Sequence, residues 1–169
     1  MQYHGSGKQV SAVTGTYDGE WAEGVKEGQG TMIYPNGQTY QGRYKRGNFH
    51  GHGILTLKYG PIESYEGEWV SHKKHGTGVL LFRSGDKYEG HFKDNYINGT
   101  GLWTWKNGSS IKCKWEKGKP LKGDCIYTPA SDKKKKEVIN GTLRDGVITS
   151  DRPNIYVSTF ITSEMEMLW

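Results

Sequence analysis

Residues 65–82 read YEGEWVSHKKHGTGVLLF, and this stretch decides the fold. Tyr65, Gly67 and Trp69 alternate with Glu66 and Glu68, the period-2 signature of a strand with one packed face. A polar loop is expected over Ser71–His75. Gly76-Thr77-Gly78 and an apolar run, Val79 to Phe82, follow it. Strand, loop, strand predicts a β-hairpin. The unit recurs. Tyr17-Asp18-Gly19-Glu20-Trp21 leads to Gly28-Gln29-Gly30, Tyr40-Gln41-Gly42-Arg43-Tyr44 to Gly51-His52-Gly53, and Tyr88-Glu89-Gly90-His91-Phe92 to Gly99-Thr100-Gly101. The steps between the tyrosines Tyr17, Tyr40, Tyr65 and Tyr88 are 23, 25 and 23 residues. A fixed period of this size sets the architecture before any other feature does.

These residues resemble the MORN repeat (membrane occupation and recognition nexus), whose pattern is Y-x-G-x-W, a variable turn, H-G-x-G and an apolar strand. His50-Gly51-His52-Gly53 and His75-Gly76-Thr77-Gly78 match its second half. The likeness covers residues 17–128 clearly and 137–149 weakly. It implies an all-β fold, an elongated single sheet of successive antiparallel hairpins, and similarity to small scaffold proteins of cilia and the cytoskeleton.

Composition agrees with a repeat sheet. The 169 residues include 25 Gly, 11 Tyr and 6 Trp, with few aliphatic residues for a globular core. In a repeat sheet each unit packs only on its neighbours. No apolar run approaches the length of a membrane span, and residues 1–7 lack a signal-peptide core, so a soluble, cytoplasmic protein is expected. Cys113 and Cys125 are expected as reduced thiols, as in a cytosolic protein, although both sit in one predicted hairpin, where a disulfide is geometrically possible. The net charge of +5 owes much to Lys133, Lys134, Lys135 and Lys136. That run is either a solvated loop or a contact for an acidic partner or anionic lipid.

In chain order, residues 1–16 are expected to cap the first sheet edge, with a strand through Val10, Ala12 and Val13 turning back near Thr14-Gly15. Residues 17–128 form the repeat sheet, four clear repeats and a degenerate fifth. Turns between repeats fall at Asn36-Gly37, Tyr59-Gly60, Ser84-Gly85 and Asn107-Gly108. Pro61-Ile62 lengthens one connection by two residues, which keeps the face of the next strand. Gly19, Gly42, Gly67 and Gly90 each lie between aromatics, so that flanking rings can lie down on the sheet as a ladder. The second strands place Met32/Tyr34, Leu55/Leu57, Leu80/Phe82 and Trp103/Trp105 on the ladder face. The opposite face carries Thr31/Ile33, Ile54/Thr56, Val79/Leu81 and Leu102/Thr104 between the charged rows of the first strands. These apolar bands reflect either β-propensity or a surface that something covers.

In the fifth repeat, Ile111-Lys112-Cys113-Lys114-Trp115 keeps the alternation but loses the tyrosine and glycine. Residues 129–150 hold the Lys-rich loop and a truncated sixth hairpin. Residues 151–169 leave the pattern. Strand-like 154–162 is followed by Ser163-Glu164-Met165-Glu166, a capping-box spelling. This C-terminal tail carries Tyr156, Phe160, Met165, Leu168 and Trp169, which pack on the sheet or on a partner.

No nucleophile motif or phosphate loop is present. His50, His52, His72, His75 and His91 lack the Asp or Cys that would complete a metal set, and the acidic pairs lie on a water-facing strand surface. The chain is expected not to be an enzyme and to need no cofactor, metal, nucleic acid or small-molecule substrate. Three functions compete. The first is a scaffold subunit of a ciliary, axonemal or cortical assembly. It would touch other proteins through Ile33, Ile54, Val79, Leu81, Leu102, Trp103, Trp105 and the tail. The second is a peripheral binder of anionic lipid through Lys133–Lys136. The third is a regulatory subunit presenting its aromatic face to an enzyme.

Overall fold

The computed structural model describes residues 4–121 and 125–130, and beyond them the backbone of short strands at 137–139, 142–144 and 147–149. The Lys133–Lys136 run and the C-terminal tail lie outside the described residues. Every described element is a strand: β1 (Gly5–Ser11), β2 (Gly15–Ala22), β3 (Val25–Ile33), β4 (Thr39–Lys45), β5 (Asn48–Thr56), β6 (Ile62–Val70), β7 (Lys73–Phe82), β8 (Lys87–Lys93), β9 (Tyr96–Thr104), β10 (Ser110–Glu116), β11 (Lys119–Pro120), β12 (Cys125–Thr128), β13 (Glu137–Ile139), β14 (Thr142–Arg144) and β15 (Val147–Thr149). The chain divides into two compact units, the first ending at Arg83 and the second beginning at Ser84.

In the first unit β1 through β7 pair in chain order, each antiparallel to the next. β1 runs over Gly5–Ser11 and meets Gly15–Trp21 of β2. Ala12 and Val13, expected in that strand, lie in the turn instead, where the Ser11 hydroxyl accepts the Val13 and Thr14 amides at 3.3 and 3.1 Å. In the second unit β8 pairs with β9, β9 with β10, and β10 with both β11 and β12. β12 pairs with β13, while β14 and β15 pair with each other.

The hairpin turns correct one expectation. Ser71–His75 is not a loop: Ser71 and His72 alone turn the chain, and β7 resumes at Lys73. Both turn residues have positive φ, +49° and +66°, as do Glu23-Gly24, Arg46-Gly47, Asp94-Asn95 and Lys117-Gly118. Two successive positive φ values define the type I′ turn, whose twist matches that of the flanking strands. Asn36-Gly37 and Asn107-Gly108 do lie in turns between repeats, with Gly37 N–H donating to Tyr34 O at 2.9 Å and Gly108 N–H to Trp105 O at 2.8 Å. The two-residue insertion does not merely lengthen a loop. Ile62 joins β6 opposite Phe82 and is buried, and a register shift between Ile62 and Ser64 takes up one of the two extra residues.

The core is a single layer of rings lying on a floor of glycine. Gly19 faces Gly30, Gly42 faces Gly53, Gly67 faces Gly78, and Gly90 faces Gly101. A Cβ on Gly53 would stand 2.3 Å from the Tyr40 hydroxyl, and one on Gly101 would stand 2.1 Å from that of Tyr88. Each repeat tyrosine therefore crosses its glycine pair, and its hydroxyl donates to the carbonyl three residues on. Tyr17 reaches Glu20 O, Tyr40 reaches Arg43 O and Tyr65 reaches Glu68 O, all at 3.0 Å, and Tyr88 reaches His91 O at 3.3 Å. The flanking aromatic meets the tyrosine edge-on: Tyr17–Trp21, Tyr40–Tyr44, Tyr65–Trp69 and Tyr88–Phe92 centroids are 5.0, 5.2, 5.0 and 5.4 Å apart. These are the favoured quadrupole geometries. Tyr40 and Phe49 lie face to face, 3.6 Å apart.

Candidate interaction face

Because the rings cover one another, the aromatic side of each unit offers little to a partner. Trp103, expected as a contact residue, is 3% exposed. It stands opposite Tyr88 across the β8–β9 pair, with ring centroids 6.3 Å apart. It is buried in the core among the ladder rings and presents almost no surface to a partner. Trp105 is half-buried, 6.4 Å from the Tyr127 ring.

The ladder side also buries cations. Two residues before the first glycine of the second strand stand Lys26, Phe49, Lys74 and Ile97. Lys26 Nζ sits 4.7 Å from the Tyr17 ring centroid, and Lys74 Nζ sits 5.6 Å from that of Tyr65, positions of cation–π attraction. Burial lowers the pKa of both, that of Lys74 to about 8. It raises that of Tyr17 to about 12, with Glu20 and Asp18 adding smaller pushes in the same direction.

The opposite side of the first unit is open, and pairing register assembles it into rows. One row runs Asp18, Thr31, Gln41, Ile54, Glu66, Val79. Ile54 thus lies between the neutral amide of Gln41 and the carboxylate of Glu66, an apolar side chain between polar neighbours. The next row runs Thr16, Ile33, Thr39, Thr56, Ser64, Leu81, with Val10 of β1 opposite Thr16. It carries no charge on any strand. Ile33 and Leu81 in it are 49% and 38% exposed. Ile54 and Val79 are half-buried. Sequence reasoning found Ile33 and Leu81 but missed the stripe. The residue before each repeat tyrosine in this unit is Thr16, Thr39 or Ser64, and that pattern was the available signal. In the second unit Leu102 lies between Glu89 and Lys112, and Lys87 pairs with Glu89 at 2.6 Å beside it.

Toward the type I′ turns this side becomes strongly polar. Glu20 and Glu68 fold over the first glycine of the second strand. Glu20 accepts the Gln29 amide at 2.6 Å, and Glu68 accepts the Thr77 amide at 2.8 Å and the Thr77 hydroxyl at 2.9 Å. Those Thr77 bonds, with a smaller pull from His75 and His52, hold the Glu68 carboxyl below the usual carboxylate range. His91 takes the equivalent place in the fourth repeat, its Nδ1 2.9 Å from Thr100 O. In the second repeat the place is taken by Arg43. Arg43, Lys45 and His50 line a shallow concavity with Glu27, Tyr44 and Gly51. Among the described residues no group of three or more His, Cys, Asp or Glu is arranged to hold a metal ion, and no helix is long and apolar enough to cross a membrane.

The cysteines correct a further expectation. Cys113 and Cys125 are not free thiols but a disulfide joining β10 to β12.

Comparison with known proteins fits the glycine-floored repeat. The MORN repeat family matches residues 17–39, 40–58, 65–87 and 88–110, together more than half of the chain. The chain belongs to the MORN-repeat family. In the match each repeat carries its tyrosine at or near the start, so the family boundaries coincide with the tyrosine-on-glycine units described above. The chain is also 43% identical over 42 residues to the human ALS2 C-terminal-like protein and 40% identical over 42 residues to its mouse counterpart. Each alignment spans 25% of this chain and 4% of the relative. The MORN repeat is a non-catalytic repeat associated with protein or membrane interaction.

Proposed function

We propose that this chain is a non-enzymatic scaffold subunit of a cytoskeletal assembly, ciliary or cortical, that docks on protein partners through the open face of its first unit. The observation that carries the reading is the uncharged stripe from Thr16 to Leu81. With the rings buried on the other side, this uncharged stripe exposes Val10, Ile33 and Leu81 among threonine and serine hydroxyls, beside a mixed row that carries Asp18 and Glu66. An apolar strip with a polar rim is the anatomy of a protein interface. The test is co-sedimentation with demembranated axonemes and with assembled microtubules, comparing the full chain with Thr39→Glu/Thr56→Glu. Both substitutions lie on the open face and leave the glycine floor untouched. The expected result is loss of co-sedimentation with an unchanged far-ultraviolet dichroism spectrum. Absence of binding to either filament by the unaltered chain would sink the cytoskeletal reading.

A second reading rests on a different observation, the Arg43, Lys45 and His50 cluster beside the single carboxylate of Glu27. On this reading the chain is a peripheral binder of anionic lipid. It requires salt-sensitive sedimentation with phosphatidylserine-containing vesicles, abolished by Arg43→Glu/Lys45→Glu.

A further inference from the structure

In repeats one to four, two opposed glycines lie beneath a tyrosine whose hydroxyl clamps the strand. The fifth repeat fills the same places differently. Register carries the glycine row from Gly90 to Gly101 and on to Cys113. Lys112 faces Ile126, so the next pair in the row is Cys113 and Cys125, with Cα atoms 4.5 Å apart. That is the spacing of a directly opposed, non-hydrogen-bonded antiparallel pair. Both glycine places are thus cysteine, and the tyrosine place is Ile111, which is buried and has no hydroxyl. The exchange is concerted for a steric reason. A Cβ on either glycine of the fourth repeat would stand 2.4 or 2.1 Å from the Tyr88 hydroxyl. A tyrosine and two cysteines cannot share one floor.

We propose that the Cys113–Cys125 disulfide is a site of thiol–disulfide exchange with a dithiol reductant, and that it latches the end of the repeat sheet. Among the described residues few other contacts fasten β12, the Tyr127 ring beside that of Trp105 being one. It pairs with β10 only at Ser110–Thr128, Ile111–Tyr127 and Lys112–Ile126, while Trp115 and Glu116 of β10 are taken by β11. β12 carries β13 in turn, through Cys125–Ile139, Ile126–Val138 and Tyr127–Glu137. Releasing the disulfide therefore loosens both strands, whereas repeats one to four hold by a hydroxyl-to-carbonyl bond that no reductant touches.

The exchange balances in two steps. A thiolate of the dithiol attacks the Sγ of Cys125, the less deeply buried of the two residues at 9% against 2%. The bond to Cys113 breaks, and Cys113 leaves as a thiolate that takes a proton. The second thiol of the reagent then attacks the mixed disulfide, closing the reagent's own disulfide and releasing Cys125 as a thiol. Two electrons pass to the protein cystine, and the dithiol is oxidised by the same two.

The test uses the full chain equilibrated across dithiothreitol redox buffers. Alkylation and mass measurement count the thiols, and amide hydrogen exchange follows 126–128. The expected result is no alkylation in the oxidised protein and two alkyl groups after reduction. Exchange at Ile126–Thr128 should rise by at least about tenfold on reduction, with β2–β7 unchanged, as a local opening requires. Free thiols in protein purified in air without reductant would overturn the proposal, as would exchange at 126–128 that moves less than about twofold on reduction. Cys113→Ser/Cys125→Ser should exchange like the reduced protein, and matching the oxidised protein would equally overturn it. Ile111→Tyr/Cys113→Gly/Cys125→Gly restores the composition of the other repeats and should leave exchange at β12 indifferent to dithiothreitol.

Discussion

Two tyrosines of β4 point to opposite consequences of losing the same atom. The Tyr40 hydroxyl donates to Arg43 O at 3.0 Å across the Gly42–Gly53 floor. The Tyr44 hydroxyl is buried with no hydrogen-bond partner among the described residues, and burial pushes its pKa far above the ordinary tyrosine value. Tyr40→Phe should therefore cost about 1 kcal/mol, the net worth of one hydrogen bond. Tyr44→Phe should be neutral or stabilising by up to about 1 kcal/mol, because it removes a desolvated polar group that nothing satisfies. Urea unfolding of the two variants checks this, and a Tyr44→Phe loss equal to that of Tyr40→Phe would refute the distinction. The sequence made the glycines legible as a floor for rings, since a bare aromatic-x-Gly-x-aromatic pattern admits few other uses. It placed Tyr40 with the repeat tyrosines and Tyr44 with Trp21, Trp69 and Phe92. It could not show that only the first hydroxyl reaches a carbonyl, because that depends on how each ring lies over its own strand.

At the level of the hairpin, the turn is built from residues that do not advertise it. Asn-Gly pairs were expected to mark tight turns and do so between repeats, but the type I′ turns inside the hairpins use Glu-Gly, Arg-Gly, Ser-His, Asp-Asn and Lys-Gly. Outside contacts hold these conformations. His72 N–H donates to Phe49 O at 3.1 Å, and its ring meets that of Phe49 with centroids 4.4 Å apart. In the turn before it, Gly47 N–H donates to Lys26 O at 2.9 Å and Arg46 N–H to the Glu27 carboxylate at 2.8 Å. Tertiary bonds of this kind override local preference, which is why Ser71–His75 resembled a loop. They also define a test. Arg46 occupies φ +50° at the first turn position, a region that disfavours side chains other than Asn, Asp and Gly. The two tertiary bonds of this turn are donated by the backbone N–H groups of Arg46 and Gly47 and survive substitution of the Arg46 side chain. Arg46→Asn, which creates the preferred Asn-Gly turn, should raise stability by about 0.5 kcal/mol. A lower thermal midpoint for this variant would show that the arginine side chain stabilises the fold in some other way.

At the scale of the whole molecule, repeat architecture was legible because a period of about 23 residues repeats its chemistry in register. The redox state of the cysteines was not: one predicted hairpin made a disulfide geometrically possible, but thiols were expected from the compartment, and the fifth repeat had lost the tyrosine and glycine that fix the pattern elsewhere. Nor was the burial of lysine, since Lys74 sits in a segment, Lys73-Lys74-His75, that looks solvated in isolation. That lysine gives the first unit a pH dependence opposite to the one its tyrosines impose. Burial lowers the Lys74 pKa from 10.5 to about 8 in the fold, so between these values the unfolded chain binds more protons than the folded one. Stability must then rise with pH across that window, by about 2 kcal/mol between pH 8 and 10. Lys26, lowered for the same reason, acts with the same sign. The buried tyrosines oppose it. Their folded pKa values are raised, so the stability they contribute is complete below pH 10 and is lost as pH climbs beyond it. The expected profile is a maximum near pH 10 and not in the neutral range, followed by a fall. Lys74→Met should lose most of the rise from pH 8 to 10 while keeping the alkaline fall, because the two limbs belong to different groups. Chemical denaturation of both proteins at half-unit pH steps separates them. A wild-type curve flat from pH 8 to 10 would mean that the ammonium is as well solvated in the fold as in the open chain, and that its place over the Tyr65 ring costs nothing.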